Sequence, residues 1–439
     1  MKVCVPFSKT RRYLTGIDWT IGALDHMTFR ATGGSNASQI VLALAGKFDD
    51  HRFRAALTEF CHQFPVLGGR STRDWNLAPY WKIPRAGKVA PVRIDSRSVS
   101  RAELHMALAE SVNSLFARSN EHLAFRVFHV EDDQHYLAMR FDHRLFDAQG
   151  AESFLDLFQC WYSGENCQAR LAAISLIEPA HLCDWKQKFM AGKQLVRVLL
   201  ALAKTTLAVL PRPVPLKGRT FKFSLTTFDA TETQAVTERA YREAGFLMFM
   251  PYALASAVQA LDGTFKTRAP EGQEYVVSVS VDLRTPDTAV SRLFFNHLSF
   301  LIFRIPTAVA GDRRRVLETI RSQMYEQIKS GFPRALSEAS MLMRILPPAL
   351  LRRVLVKPLR GEFASLGFSC VGKGGYAQSL FMETRVDNLF HMPLVPVPPG
   401  LGFVVNQFGS QMNAVLSYVD GMLDEEDVQR IQDNVRRLF

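Results

Sequence analysis

Cysteine is scarce in this sequence and forms no pattern. Cys4, Cys61, Cys160, Cys167, Cys183 and Cys370 include no Cys-x-x-Cys pair and no companion histidines at zinc spacing. That excludes a zinc finger or a dithiol redox motif and predicts free thiols in a reducing compartment. The opening residues, MKVCVPFSKTRRYLTG, lack the apolar core of a secretory signal, so a cytoplasmic location is expected. No phosphate-cradling glycine loop, nucleotide fingerprint or metal motif occurs, so no metal and no tightly bound cofactor is expected. Internal repeats and low-complexity segments are also missing. The aliphatic run from Leu195 to Leu210 is broken by Arg197 and Lys204 and is too short and too polar to span a bilayer.

Acidic charge is absent locally. Between Asp184 and Asp229 there is no acidic residue but nine basic ones, and between Glu338 and Glu362 there are five more. These two segments hold the whole of the net +11, leaving 39 basic against 42 acidic residues elsewhere. Lys193, Arg197 and Lys204 share one helical face in QLVRVLLALAKTTLAVLP. The basic residues alternate with leucine and valine rather than with stacking aromatics, so an anionic membrane surface is expected as partner and nucleic acid is not. Arg197, Lys204, Arg352 and Arg353 are the candidate membrane-surface residues, on a protein peripheral to the inner membrane face. A monomer is expected.

The 439 residues, 47 % of them hydrophobic, suffice for two cores. After an irregular start, SNASQIVLALAGKF reads as a strand, and Asp49 or Asp50 caps a helix with the stripe Phe53, Leu57, Phe60 and Phe64. A hairpin turning at Asp132 and Asp133 follows. Pro211, Pro213 and Pro215 form a stiff connector. The expected organisation is residues 1–190, a cationic amphipathic segment and linker over 191–219, and 220–439. Strands and helices mix without strict alternation, which predicts α+β layers.

The chain is organised around HYLAMRFDHRLFDAQGAESFLDLFQCW, His135 to Trp161. Leu137, Met139 and Phe141 alternate with polar or small residues as in a strand with one buried face, and His143 falls in phase with them. Asp147 follows four residues later. Gly150 permits a turn before Ala151, Phe154, Leu155 and Phe158 begin a helical stripe. Two readings stand: a structural histidine with Asp147 capping the helix, or a His-x-x-x-Asp catalytic motif.

Several segments together resemble one superfamily. DHRLFDAQG resembles the His-His-x-x-x-Asp-Gly motif of acyltransferases built like chloramphenicol acetyltransferase, which include condensation domains, BAHD acyltransferases and wax ester synthases. VSVDLRTPDTAVSRLFFNHLSFL is similar to their mid-chain Asp-Leu-Arg and Gly-Asn segment, FSCVG to their Ser-Asn-x-Gly strand, and LSYVDGML to their closing hairpin. Four substitutions depart from the pattern. Asp142 replaces the first histidine, Ala148 and Phe295 replace glycines, and Cys370 replaces an asparagine.

The resemblance implies two chloramphenicol acetyltransferase-like subdomains, each a mixed sheet packed with helices, with an active-site tunnel at their interface. It implies acyl transfer from acyl-CoA or a phosphopantetheine thioester on an acyl carrier protein to a small hydrophobic alcohol or amine. His143 would be the base, and histidine, titrating near neutrality, can also return the proton. Asp147 would be structural, with Arg284 as its partner. Backbone N–H groups at Ala148 or Gly150 would serve an oxyanion, and Asn296, Ser369 and Ser410 would face the substrate or bond within their strands. Most of the 32 phenylalanines are expected in the core and some along the tunnel. A non-catalytic condensation-like module that binds an acyl carrier protein is the alternative.

Overall fold

Many but not all of the helices begin at a side-chain cap, in a computed structural model that describes residues 10–85, 92–176, 185–285, 288, 291–356 and 360–439. The first elements are β1 (Arg11–Tyr13), α1 (Gly16–Thr32), β2 (Ala37–Ala45) and α2 (Asp50–Cys61). The irregular start is thus corrected. Thr15 Oγ1 accepts the Asp18 N–H while Asp18 accepts the Thr15 N–H, a capping box that opens α1, and Gly33 at φ 88° closes it. Asp49 is the residue that caps α2, accepting the Arg52 N–H at 2.9 Å.

The first half continues through β3 (Arg70–Arg73), β4 (Pro79–Lys82), β5 (Val92–Ser98), α3 (Leu104–Asn113), β6 (Leu123–Val130), β7 (Gln134–Asp142), α4 (Ala148–Tyr162), α5 (Gln168–Ala173) and α6 (Trp185–Leu202). The second begins with β8 (Phe221–Phe228), α7 (Ala230–Ala244), α8 (Phe249–Arg268), β9 (Glu274–Asp282), β10 (Leu298–Pro306) and α9 (Arg313–Lys329). Then come α10 (Phe332–Met343), α11 (Pro348–Val356), β11 (Leu366–Lys373), β12 (Leu380–Phe381), β13 (Thr384–Pro393), β14 (Leu401–Phe408), β15 (Gln411–Val419) and α12 (Glu425–Leu438).

The fold is α+β. One six-stranded mixed sheet has the order β12-β13-β2-β7-β6-β5, a second has β10-β9-β11-β14-β15-β8, and β1-β4-β3 form a small third sheet. The two large sheets do not respect sequence order. β12 and β13 come from the second half but complete the first sheet, with Phe390 opposite Val41 and His391 opposite Ile40. β7 is a central strand of that sheet, so Leu137 to Asp142 are buried on both faces rather than on one.

Phe53, Phe60, Phe64, Phe146, Phe154 and Phe158 are fully buried and pack mainly edge to face, with Phe60 and Phe64 centroids 5.1 Å apart. Truncating any one to alanine costs about 3–5 kcal/mol, so these rings are core, not tunnel wall. They fix α2 and α4 against the first sheet. In the second sheet β9, β11 and β14 run parallel, which brings their carboxyl ends to one edge. The chain leaves β11 through Gly374 and Gly375, where an added Cβ would lie 1.7 Å from Glu152 Oε2 and 2.2 Å from Gln149 Nε2. Only glycines let that edge touch the start of α4, and the turn from β7 into α4 sits there.

Candidate active site

His143 is the first residue past β7, half-buried, its ring 6.5 Å from that of Phe141. Asn296, in the loop before β10, holds it at two points. The Asn296 Nδ2 donates to the His143 carbonyl at 2.9 Å, and its Oδ1 lies 3.2 Å from His143 Nδ1. With Nδ2 committed as donor, Oδ1 is the acceptor, so the neutral ring held in this way has its proton on Nδ1 and its lone pair on Nε2. Nε2 has no hydrogen-bond partner among the described residues. Both polar atoms of the Asn296 side chain bond to His143, each keeping one further hydrogen-bonding site.

Asp147 occupies both roles the sequence left open. Its Oδ1 accepts the Gly150 N–H at 2.8 Å, capping α4, and also accepts from Arg284 Nη2 at 2.8 Å. Its Oδ2 accepts the His297 N–H at 2.9 Å. Burial alone would raise the Asp147 carboxyl, but the Arg284 guanidinium and these bonds hold it below the ordinary carboxylate value. Arg284 also donates to the Arg292 carbonyl at 3.0 Å and to Asp282 at 3.1 Å. A Cβ on Gly150 would meet Leu293 O at 2.4 Å, so the residue is a close-packing point between the halves. Its amide is consumed by Asp147, which corrects its candidacy as an oxyanion donor.

Asp142, where the motif has its first histidine, is a second buried anchor. It accepts from Arg144 Nη2 at 2.6 Å and faces His122 Nδ1 at 2.7 Å. Burial would raise its carboxyl, but the Arg144 guanidinium and the His122 contact hold it far below the carboxylate range. Below the turn, Arg12 pairs with Asp18 at 2.5 Å, both buried, and Asp18 Oδ1 accepts the Asn296 N–H at 3.0 Å. Phe295 stands at φ 71°, the left-handed backbone that glycine adopts freely and that costs a bulky residue roughly 1–2 kcal/mol. Its N–H donates to Leu145 O at 2.6 Å and its ring lies under Arg12, 3.8 Å from the guanidinium carbon. These contacts hold the position without a glycine. Asn296 is therefore delivered to His143 by a backbone fixed on both sides.

A cavity of about 240 Å³ opens beside the turn, lined by Asp142 and Arg144 on either side of His143 in sequence, with Asp25, Phe29, Asn36 and Phe116. His143 itself is not in its wall. Ala148, half-buried, is the first residue of α4, whose N-terminal N–H groups a helix leaves unpaired. Ser369 lies on β11 with its hydroxyl 3.0 Å from Ser280 on β9, bonding between strands. Ser410 is exposed at the β14–β15 turn. The structure does not bring these two serines to His143 by any recorded contact. Burial pushes the Cys370 thiol up to about 12, and Cys61 higher still, so neither is a thiolate nucleophile. Cys4 and Cys183 lie outside the described residues. Arg197, Lys204 and Arg353 are exposed, and the Arg352 side chain is outside the described residues.

Sequence reasoning missed Arg12, Asp18, His122 and His297. It also missed a buried pair between Glu152 on α4 and His391 on β13, 2.6 Å apart, that ties the exchanged strand to the helix after the His143 turn. Only Asp18 had a signal, the Thr-x-x-Asp capping box. No metal-binding group of three or more His, Cys, Asp or Glu occurs among the described residues.

No protein-family model and no curated protein matches the chain. Solved structures do. The TRI3 trichothecene 15-O-acetyltransferase from Fusarium sporotrichioides superposes with a TM-score of 0.71 at 13% identity, over 98% of this chain and 95% of that one. The first condensation domain of the calcium-dependent antibiotic synthetase, with a substrate analogue, gives 0.70 at 14% identity over 98% and 96%. The starter condensation domain of rhizomide synthetase, with C8-CoA, gives 0.66 at 13% over 98% and 94%. The chain has the two-subdomain fold of the chloramphenicol acetyltransferase-like acyltransferases and condensation domains.

Proposed function

We propose that this protein is an acyltransferase that moves an acyl group from a CoA or carrier-protein thioester to a hydroxyl or amine of a hydrophobic acceptor, with His143 as general base. The observation that carries the reading is the Asn296 clasp, which fixes the His143 proton on Nδ1 and leaves Nε2 free at the junction of the two halves. Nε2 takes the acceptor proton as the acceptor attacks the thioester carbonyl. The C–S bond then breaks, and the proton on Nε2 passes to the leaving thiolate, so the ring returns to its starting form. The oxyanion formed between these steps needs a donor, and the unpaired N–H of Ala148 at the start of α4 is the nearest in sequence. Asp147 takes no part in proton transfer because both its oxygens are committed to Arg284, Gly150 and His297.

The test is a panel of acyl-CoA and acyl-carrier thioesters offered with alcohols and amines, read by thiol release and by the mass of the product. Acceptor-dependent thiol release with a matching ester or amide supports the reading. Saturable carrier-protein binding with no turnover of any pair would favour the non-catalytic module instead.

A further inference from the structure

The nine basic residues between Asp184 and Asp229 have different fates in the folded chain. Lys188 is buried, Arg212 pairs with Glu362, and Lys222 pairs with Asp420 at 2.9 Å. Lys186, Lys193 and Arg197 are exposed on α6 and have no ion-pair partner among the described residues. Lys204, Lys217 and Arg219 also have no ion-pair partner among the described residues but lie beyond α6, so α6 carries three of the six unmatched charges and sets them on one helix.

That helix already has its packing face. Ala191 and Leu202 are buried, Val198 and Leu199 pack with Val276 and Ile302 of the second sheet, and Gly192 abuts Leu342 of α10. Trp185, Phe189, Val196 and Leu200 are nonetheless 51, 60, 52 and 59% exposed. At about 100° per residue these four fall within about 60° of one another, a ridge along the helix, and Lys193, Lys186 and Arg197 occupy the next 40° or so. Scattered exposed apolar residues are ordinary, but a ridge of four beside a cationic row marks an interaction surface.

We propose that the outer face of α6 docks on an anionic lipid surface, with Trp185, Phe189, Val196 and Leu200 entering the acyl boundary and Lys186, Lys193 and Arg197 meeting lipid phosphates. No single helix among the described residues is long and apolar enough to cross a membrane, so the contact is peripheral. The charge pattern argues against a second copy of this chain as occupant, because two such faces repel. The binding is independent of acyl transfer, since none of these residues touches the His143 turn.

Vesicle flotation of the full chain tests this, with phosphatidylcholine alone and with phosphatidylglycerol added. Recovery is expected with the anionic vesicles only and falls as salt rises. Lys193→Glu with Arg197→Glu should weaken it by about tenfold or more, and Phe189→Ala with Leu200→Ala by a similar factor. Unchanged thermal unfolding would show that these exposed changes leave the fold intact. Brominated lipid gives an independent reading on the native chain, quenching tryptophan fluorescence in the wild type and much less in Trp185→Phe. Equal recovery on neutral and anionic vesicles would overturn the proposal. So would insensitivity to both double variants.

Discussion

Charge is handled in opposite ways at the turn after β7 and on the outer face of α6. At the turn, Asp18, Asp142 and Asp147 are buried and each meets an arginine, Arg12, Arg144 and Arg284 in turn. On the outer face of α6, Lys186, Lys193 and Arg197 are exposed and have no counter-ion among the described residues. Buried, matched charge spends its energy on geometry: three carboxylates hold three arginines so that Asn296 can hold one histidine. Exposed, unmatched charge costs little to keep and is available to something outside. The first arrangement is a frame and the second a surface.

Breaking the frame should have the largest effect on stability. Removing one partner of a buried pair strands the other, at about 3–5 kcal/mol. Asp147→Asn and Arg284→Gln should therefore both lower the thermal midpoint by several degrees and reduce soluble yield, whereas Lys193→Glu on α6 should leave the midpoint unchanged. A wild-type midpoint for Arg284→Gln would remove the pair from the frame.

A smaller effect separates positioning from structure. Asn296→Ala removes the acceptor for His143 Nδ1 while the backbone N–H to Asp18 remains. Misplacement of a reacting group is worth up to about a hundredfold, so kcat should fall by about 10–100-fold with KM little changed. A rise in KM at unchanged kcat would assign Asn296 to substrate binding instead.

The smallest effect is on pH. Burial pushes His297 down to about 4 from the ordinary 6.5, against the pull of Asp147. Between those values the unfolded chain takes up a proton that the native chain refuses, so stability is full above 6.5 and is lost as pH falls toward 4. His135, also lowered, adds a slope of the same sign. His297→Gln should flatten the curve of midpoint against pH in this window, and an unaltered slope would place the proton uptake elsewhere. As pH falls through the ordinary aspartate value a further loss is expected, because the unfolded chain protonates the carboxyls of Asp18, Asp142 and Asp147 while the native chain keeps them ionised.

The fold class was legible in the sequence, and so was the pairing of Asp147 with Arg284. His143, Asp147 and Arg284 were readable because the motif keeps their residue types and order. Asn296 was read as a substrate or oxyanion contact or a strand bond, and it is the residue that fixes the His143 ring. β13 was invisible for a physical reason. A register shift between Val386 and Asn388 breaks the alternation that announces a strand, and its partner β2 lies more than 300 residues away in the chain. α1 was hidden by a weak apolar stripe, although its capping box was in view. Counting basic residues found the cationic segment but not its face, because only the fold decides that Lys188 is buried, that Arg212 meets Glu362 and that Lys193 has no ion-pair partner among the described residues.

The central claim is that the frame exists to present His143 Nε2 to an acceptor. The most direct measurement is the acceptor-saturated rate of thiol release by wild type and by His143→Ala, on the best pair from the thioester panel, with circular dichroism recorded for both. The account predicts overlapping spectra and a kcat lower by roughly 10²–10⁴-fold in the variant. Near-wild-type turnover in a folded His143→Ala protein would contradict it.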